Sequence, residues 1–176
     1  MTHTLLLMRH AKSDRDAGAP NDFERPLAAR GLRDAPRMGA WLAGRGVRPD
    51  LVLCSPARRA RDTLLLMLAA MPGVPPPIRW EPGIYEAAVP DLCRVLASAP
   101  EEDRSVMLVG HNPGLEDLLR FLVSGPLPVE PSGKALPTAA IAAVEISGRW
   151  KALRAGRGAC VWMVQPGDLD RAPYQR

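Results

Sequence analysis

The chain has 176 residues, 23 Lys plus Arg against 19 Asp plus Glu, and a formal net charge of +4, so it has the length of one domain, residues 1–176, that needs no disulfide or metal staple. The surplus of positive charge is mild and scattered and aromatic residues make up only 5%, which argues against a nucleic-acid groove, while no segment approaches the roughly 20 apolar residues of a membrane span. Cys54, Cys93 and Cys160 are widely spaced, with neither metal-ligand nor CxxC spacing, and read as reduced thiols of a cytoplasmic protein.

The run Thr4-Leu5-Leu6-Leu7-Met8 stops abruptly at Arg9-His10-Ala11-Lys12-Ser13. Consecutive large apolar residues suit a central strand covered on both faces, and ligands of open α/β sheets gather at strand tips. Ser13 to Arg25, rich in Asp, Gly, Pro and Asn, reads as a surface loop crossing that edge. Leu32, Ala35, Gly39 and Leu42 recur at helical spacing, which predicts a helix from about Ala28 to Ala43, bent at Pro36.

A second apolar run, Asp50 to Cys54, leads into Ser55-Pro56, the pattern of an N-cap followed by proline at the first helical position. The helix it predicts runs through Leu64, Leu65, Met67 and Leu68 to Met71, with Arg58, Arg59 and Arg61 in its opening turns. Ile78 to Trp80 predicts a short strand, Glu81 to Glu86 a loop, and Asp91 to Ala99 a helix. Val106 to Val109 is a third strand, running into Gly110-His111-Asn112-Pro113-Gly114, with Asn112 the expected cap of a helix carrying Leu115, Leu118, Leu119 and Leu122. Ser124 to Lys134 reads as loop. Thr138 to Ile146 and Trp150 to Arg154 are predicted as an antiparallel pair joined by Ser147-Gly148-Arg149, and the tail from Gln165 as irregular.

Three strand ends thus deliver Arg9, His10, Arg59 and His111 to one edge. A neutral imidazole is a good nucleophile at neutral pH, guanidinium forks match phosphate oxygens, and a protonated histidine adds a donor where charge accumulates. His10 is therefore a candidate phosphoryl acceptor and Arg9, Arg59 and His111 candidate phosphate ligands. Glu86, or else Glu81, is the candidate proton donor to a leaving group. A lone Arg-His pair after a strand is structural more often than catalytic, the reading given to His3, and arginines such as Arg58 and Arg61 usually form solvated faces. The conjunction of three phosphate-compatible strand ends carries the argument.

The residues also resemble a known family. Leu-Met-Arg9-His10-Ala-Lys-Ser, Ser55-Pro-Ala-Arg-Arg59-Ala-Arg-Asp-Thr63 and Val-Gly-His111-Asn-Pro-Gly look like the histidine phosphatase (phosphoglycerate-mutase-like) superfamily, and within it the short SixA-type phosphohistidine phosphatases. Arg-Pro-Leu before the first helix, Ile-Tyr-Glu-Ala in the middle loop and Pro-Thr-Ala-Ala near Thr138 extend the likeness from about Thr4 to Ile146. Ala11 stands where the commoner form has glycine, as in some SixA-type members.

The resemblance implies a three-layer α/β/α sandwich around a mostly parallel sheet with an antiparallel edge strand. It also implies transient phosphorylation of His10, with phosphate bound by Arg9, Arg59 and His111. Lys12 and Ser13 are candidate substrate-binding residues beside them. No metal and no organic cofactor is expected, and a monomer is.

The predicted core elements use most of the chain and leave no large insertion to form a lid. A shallow site favours a phosphorylated protein side chain over a small sugar phosphate, and phosphohistidine hydrolysis is the expected activity. The alternatives are a general small-molecule phosphomonoesterase and a phosphate-binding module without turnover.

Overall fold

The computed structural model describes residues 2–127, 133 and 135–170; most of the loop expected over Ser124–Lys134 and the end of the tail lie outside the described residues. The elements run β1 Thr2–Arg9, α1 Ala29–Gly44, β2 Leu51–Cys54, α2 Arg58–Ala69, β3 Ile78–Trp80, α3 Val89–Leu96, β4 Ser105–Gly110, α4 Gly114–Leu122, β5 Ile141–Ser147 and β6 Gly158–Val164. They form one sheet in the order β3-β2-β4-β1-β5-β6. The ladders β2–β3, β2–β4 and β1–β4 are parallel, and β1–β5 and β5–β6 are antiparallel. The architecture is the expected mostly parallel sheet with antiparallel pairing confined to one side.

The unbroken apolar runs follow from burial of both faces. Leu5, Leu7, Leu53, Val106 and Leu108 meet Leu92, Leu96, Leu115, Leu118 and Leu122 of α3 and α4 on one side. Leu6, Met8, Val52, Met107 and Val109 meet Ala35, Met38 and Leu42 of α1 and Leu64 and Met67 of α2 on the other. Alternate residues of each strand thus feed opposite cores, each large side chain contributing about 1.5–3 kcal/mol on burial. The same ladders set the height of the strand tips: Arg9 lies opposite Gly110 and Cys54 opposite Val109, so the residues after β1, β2 and β4 emerge side by side.

Several local expectations are corrected. α2 starts at Arg58 and not at Ser55-Pro56; the Ser55 hydroxyl accepts the Ala57 N–H at 3.3 Å, closing a turn before the helix. α4 starts at Gly114, preceded by Pro113, and Asn112 donates its side-chain amide to the Leu136 carbonyl at 2.9 Å instead of capping the helix. The segment expected as a strand over Trp150–Arg154 is a 3-10 turn at Trp150–Ala152, because Trp150 is fully buried with its indole N–H on the Asp103 carbonyl at 2.9 Å. The strand pairing with β5 is β6, which the sequence reading passed over, and Pro166–Asp170 forms a further 3-10 turn. α1 runs through Pro36 without ending. Among the described residues no helix is long and apolar enough to cross a membrane.

α1 and α2 touch through a glycine. A Cβ on Gly39 would stand 2.0 Å from the Met67 carbonyl oxygen, backbone that cannot step aside, whereas a Cβ on Gly44 would meet nothing within 4 Å. Gly39→Ala is expected to destabilise the fold by about 1–3 kcal/mol or more through overpacking, and Gly44→Ala to be neutral or stabilising by up to about 1 kcal/mol through helix propensity. Urea denaturation of the two variants checks the contrast; equal midpoints would mean the helices are not in backbone contact.

Candidate active site

β1 ends in Arg9 and hands over to His10, which is 8% exposed. Nδ1 of His10 lies 2.7 Å from the Ala11 carbonyl oxygen. A carbonyl only accepts, so the proton sits on Nδ1 and the lone pair is on Nε2. Two contacts fix this turn: the Ala11 N–H donates to Thr63 Oγ1 at 2.9 Å, and that hydroxyl donates to the Arg59 carbonyl at 2.6 Å. α2 is thereby tied to the histidine it faces.

β4 delivers His111, whose ring centroid is 5.1 Å from that of His10. Its Nε2 is 2.8 Å from Ser55 Oγ. Ser55 Oγ also accepts the Ala57 N–H; with two lone pairs it can either accept from Nε2 or donate to it, and where it donates the His111 proton sits on Nδ1. That Nδ1 is buried and has no hydrogen-bond partner among the described residues, as is true of Nε of Arg9 and Nε of Arg59. Two guanidinium N–H donors and one imidazole nitrogen are thus desolvated without a partner among the described residues, an arrangement an anion with several oxygens would satisfy at the donors.

The electrostatics agree. Burial pushes the His10 pKa down from 6.5 to about 3, helped by the charges of His111, Arg59 and Arg9 against the hydrogen bond to Ala11. Burial, with Arg59, Arg25 and Arg9, lowers His111 to about 4 against the opposing charge of Asp22. Burial also lowers Arg9, opposed by Glu116. Both imidazoles are neutral at pH 7 in the free protein. The expectation that His111 acts protonated then requires an anion beside it to offset this burial and these charges.

The structure therefore brings His10, His111, Arg9 and Arg59 to one place. Arg9 is held from behind, its Nη1 donating to the Leu136 carbonyl at 3.1 Å while Glu116 accepts the Leu136 N–H at 2.7 Å. Lys12 is exposed and Ser13 is bridged to Leu27, and among the described residues neither side chain hydrogen-bonds to the cluster. Arg58 and Arg61 are half-exposed and pair with Asp62. His3 is buried between the Gly148 and Glu101 carbonyls and rests on Trp150, a structural position.

Of the two candidate acids, Glu81 is bound to Arg79 at 2.6 Å. Glu86 is exposed, in left-handed backbone at φ 52°, close enough for its charge to raise the Tyr85 pKa together with burial and Asp22. Sequence reasoning missed Ser55 as a partner of His111, and missed Asp22, Arg25 and Tyr85, which adjoin Arg59. Among the described residues no group of three or more His, Cys, Asp or Glu has an arrangement that could hold a metal ion.

The chain is similar to known proteins over most of its length. The family model described as histidine phosphatase superfamily (branch 1) matches residues 5–93. An uncharacterized protein of Mycobacterium tuberculosis is 34% identical over 163 residues, 90% of this chain and 99% of that one. The phosphohistidine phosphatase SixA of Escherichia coli is 29% identical over 175 residues, 96% of this chain and 97% of that one. A solved structure of the protein histidine phosphatase SixA complexed with tungstate superposes with TM-score 0.79 at 27% identity, covering 95% of this chain and 99% of that one.

The depressed imidazole values have a consequence for stability. Below the ordinary histidine value of 6.5 the unfolded chain binds protons that the folded site refuses until about pH 4 at His111 and about pH 3 at His10. Stability therefore falls as pH drops from 6.5, by up to about 1.4 kcal/mol per pH unit for each group. Urea midpoints measured between pH 7 and 4 are expected to fall more steeply for the wild type than for His10→Gln or His111→Gln; identical slopes would contradict the neutral buried pair.

Proposed function

Because the chain belongs to the histidine phosphatase superfamily, we propose that it is a phosphatase that hydrolyses phosphohistidine on a protein, by way of a phosphoryl group carried on Nε2 of His10. The observation that carries this reading is the orientation of His10: Nδ1–H is engaged by the Ala11 carbonyl at 2.7 Å, and the Nε2 lone pair is left among guanidinium and imidazole donors. In the first step that lone pair attacks phosphorus, the substrate's P–N bond breaks, and the bonding electrons leave with the substrate imidazole. In the second, water attacks the phosphorus on His10, the new P–N bond breaks, and inorganic phosphate departs. Arg9, Arg59 and the Nδ1–H of His111 stabilise the charge on the transferring oxygens in both steps.

Phosphohistidine suits a site whose acid is exposed. The leaving imidazole, with an ordinary pKa near 6.5, is able to carry its own proton near neutral pH, whereas an ester oxygen needs a donor. Glu86 fills that role for esters. The relative named as a phosphohistidine phosphatase supports the same choice. The second reading, a phosphomonoesterase of small molecules, depends on Glu86 throughout.

Incubation with a labelled phosphohistidine carrier protein and an alkaline denaturing quench is expected to leave alkali-stable, acid-labile label on the wild-type chain and none on His10→Asn; label on neither would favour a phosphate-binding module, and faster turnover of simple phosphate esters than of the carrier would favour the second reading. Glu86→Gln is expected to slow esters with poor leaving groups by about 10²-fold or more, the usual size of general acid catalysis, while changing phosphohistidine turnover little. Equal slowing of both classes would assign Glu86 a structural role.

A further inference from the structure

Asp22 lies in the connection between β1 and α1, remote in sequence from Arg59, yet it grips that guanidinium twice. Arg59 Nη1 donates to the Asp22 carbonyl at 2.6 Å and Nη2 to Oδ2 at 2.8 Å. The same Oδ2 accepts the Tyr85 hydroxyl at 2.9 Å, and Oδ1 pairs with Arg25 Nη2 at 3.1 Å. The grip is braced locally, since the Arg58 N–H donates to the Phe23 carbonyl at 3.0 Å and the Phe23 ring stands edge-on to Tyr85. One carboxylate thus ties together the loop before α1, the first turn of α2 and the loop before α3.

The geometry decides which edge of Arg59 is free. A guanidinium offers five N–H groups in a planar fork. Asp22 occupies the edge formed by the two terminal nitrogens, which leaves the edge bearing Nε, and Nε of Arg59 is buried without a partner among the described residues. Arg25 repeats the pattern: a terminal nitrogen is on Asp22, and its Nε is buried and unpartnered among those residues. The charge of Arg25 is felt at His111 alongside those of Arg59 and Arg9, so it lies within electrostatic reach of the cluster.

Resting on the phosphoryl-transfer reading above, we propose that Asp22 is the positioning residue of the site, orienting Arg59 and Arg25 so that the Nε edge of each meets the phosphoryl group, and that Arg25 is a further ligand of that group. Asp22 does this as a carboxylate and not as an acid. Burial alone would raise its pKa, but the Tyr85 hydrogen bond and the charges of Arg59 and Arg25 more than offset that and hold it below the ordinary value.

The test is a double-mutant cycle read with phosphoimidazole turnover and with calorimetric titration of orthovanadate. Asp22→Asn is expected to lower kcat about ten-fold or more with KM moving less than about three-fold, and to cost clearly less in an Arg59→Lys background, because the part of the effect that passes through Arg59 is already lost there while the part through Arg25 remains. Arg25→Gln is expected to weaken orthovanadate about ten-fold without lowering the melting temperature, a loss typical of one charge-assisted contact. If Asp22→Asn does not fold, Tyr85→Phe removes one of the hydrogen bonds that fix Oδ2 and is expected to lower kcat about three-fold with KM held, within the range of a neutral hydrogen bond.

Equal losses from Asp22→Asn in the wild-type and Arg59→Lys backgrounds would overturn the positioning role, as would Asp22→Asn or its substitute Tyr85→Phe retaining wild-type kcat. Orthovanadate affinity unchanged in Arg25→Gln would overturn the ligand assignment. A wild type that neither binds orthovanadate nor hydrolyses phosphoimidazole would overturn the functional reading and this one together, whereas an active wild type with indifferent variants overturns this one alone.

Discussion

The constraint on which the structure turns is the mutual repulsion of cations gathered at one sheet edge. Arg9 and Arg59 act on both imidazoles and Arg25 on His111, and all the charge is fixed because arginine does not lose its proton in this range. Burial and these neighbours leave His10 and His111 neutral, with values near 3 and 4. The proposed nucleophile is therefore kept unprotonated first by burial and then by the same field that would draw in its substrate. One device serves two ends, and it works only because the ladders that align Arg9 with Gly110 and Cys54 with Val109 hold the groups at equal height.

A crowd of donors also needs something behind it. Arg9 is anchored through Leu136 and Glu116, Arg59 through Asp22, His111 through Ser55, and the His10 turn through Thr63. Each anchor takes up one side of a polar group and leaves the other side bare. The bare atoms, Nε of Arg9, Arg25 and Arg59 and Nδ1 of His111, are the costly part of the site, since a buried donor without an acceptor costs on the order of 1–3 kcal/mol. A tetrahedral oxyanion offers enough lone pairs to satisfy several of them at once, so the proposed phosphoryl site would have part of its affinity stored in the fold beforehand.

Much of this was legible in the sequence because it depends on local pattern. The apolar runs at Leu5-Leu6-Leu7, Leu51-Val52-Leu53 and Val106-Met107-Leu108 mark buried parallel strands, and the residues that follow them are placed by chain continuity alone. Partners fixed by tertiary contact were not legible. Ser55 carries the signature of an N-cap, and only the approach of His111 from β4 makes its hydroxyl the partner of that ring. Asp22 sits in a polar loop whose composition says surface, and 37 residues separate it from the guanidinium it holds. Trp150 has the alternation of a strand, but the Asp103 carbonyl and the His3 ring draw it inward and bend the chain, so the partner of β5 comes later, at β6.

The neutral state of His111 belongs to the free protein and need not survive binding. A phosphoryl dianion brought beside Nδ1 offsets the repulsion of Arg59, Arg25 and Arg9 that keeps the ring uncharged, and so raises the His111 pKa from near 4 toward its ordinary range. His10 is different, because its Nδ1–H is committed to Ala11 and, in the proposed reaction, its Nε2 becomes bonded to phosphorus rather than to a proton. The two histidines, alike in the free protein, are thus driven apart by the substrate: one is poised to follow the charge of the transferring group, the other to form the bond. Their separate partners, a serine hydroxyl for one ring and a backbone carbonyl for the other, establish that division before the substrate arrives.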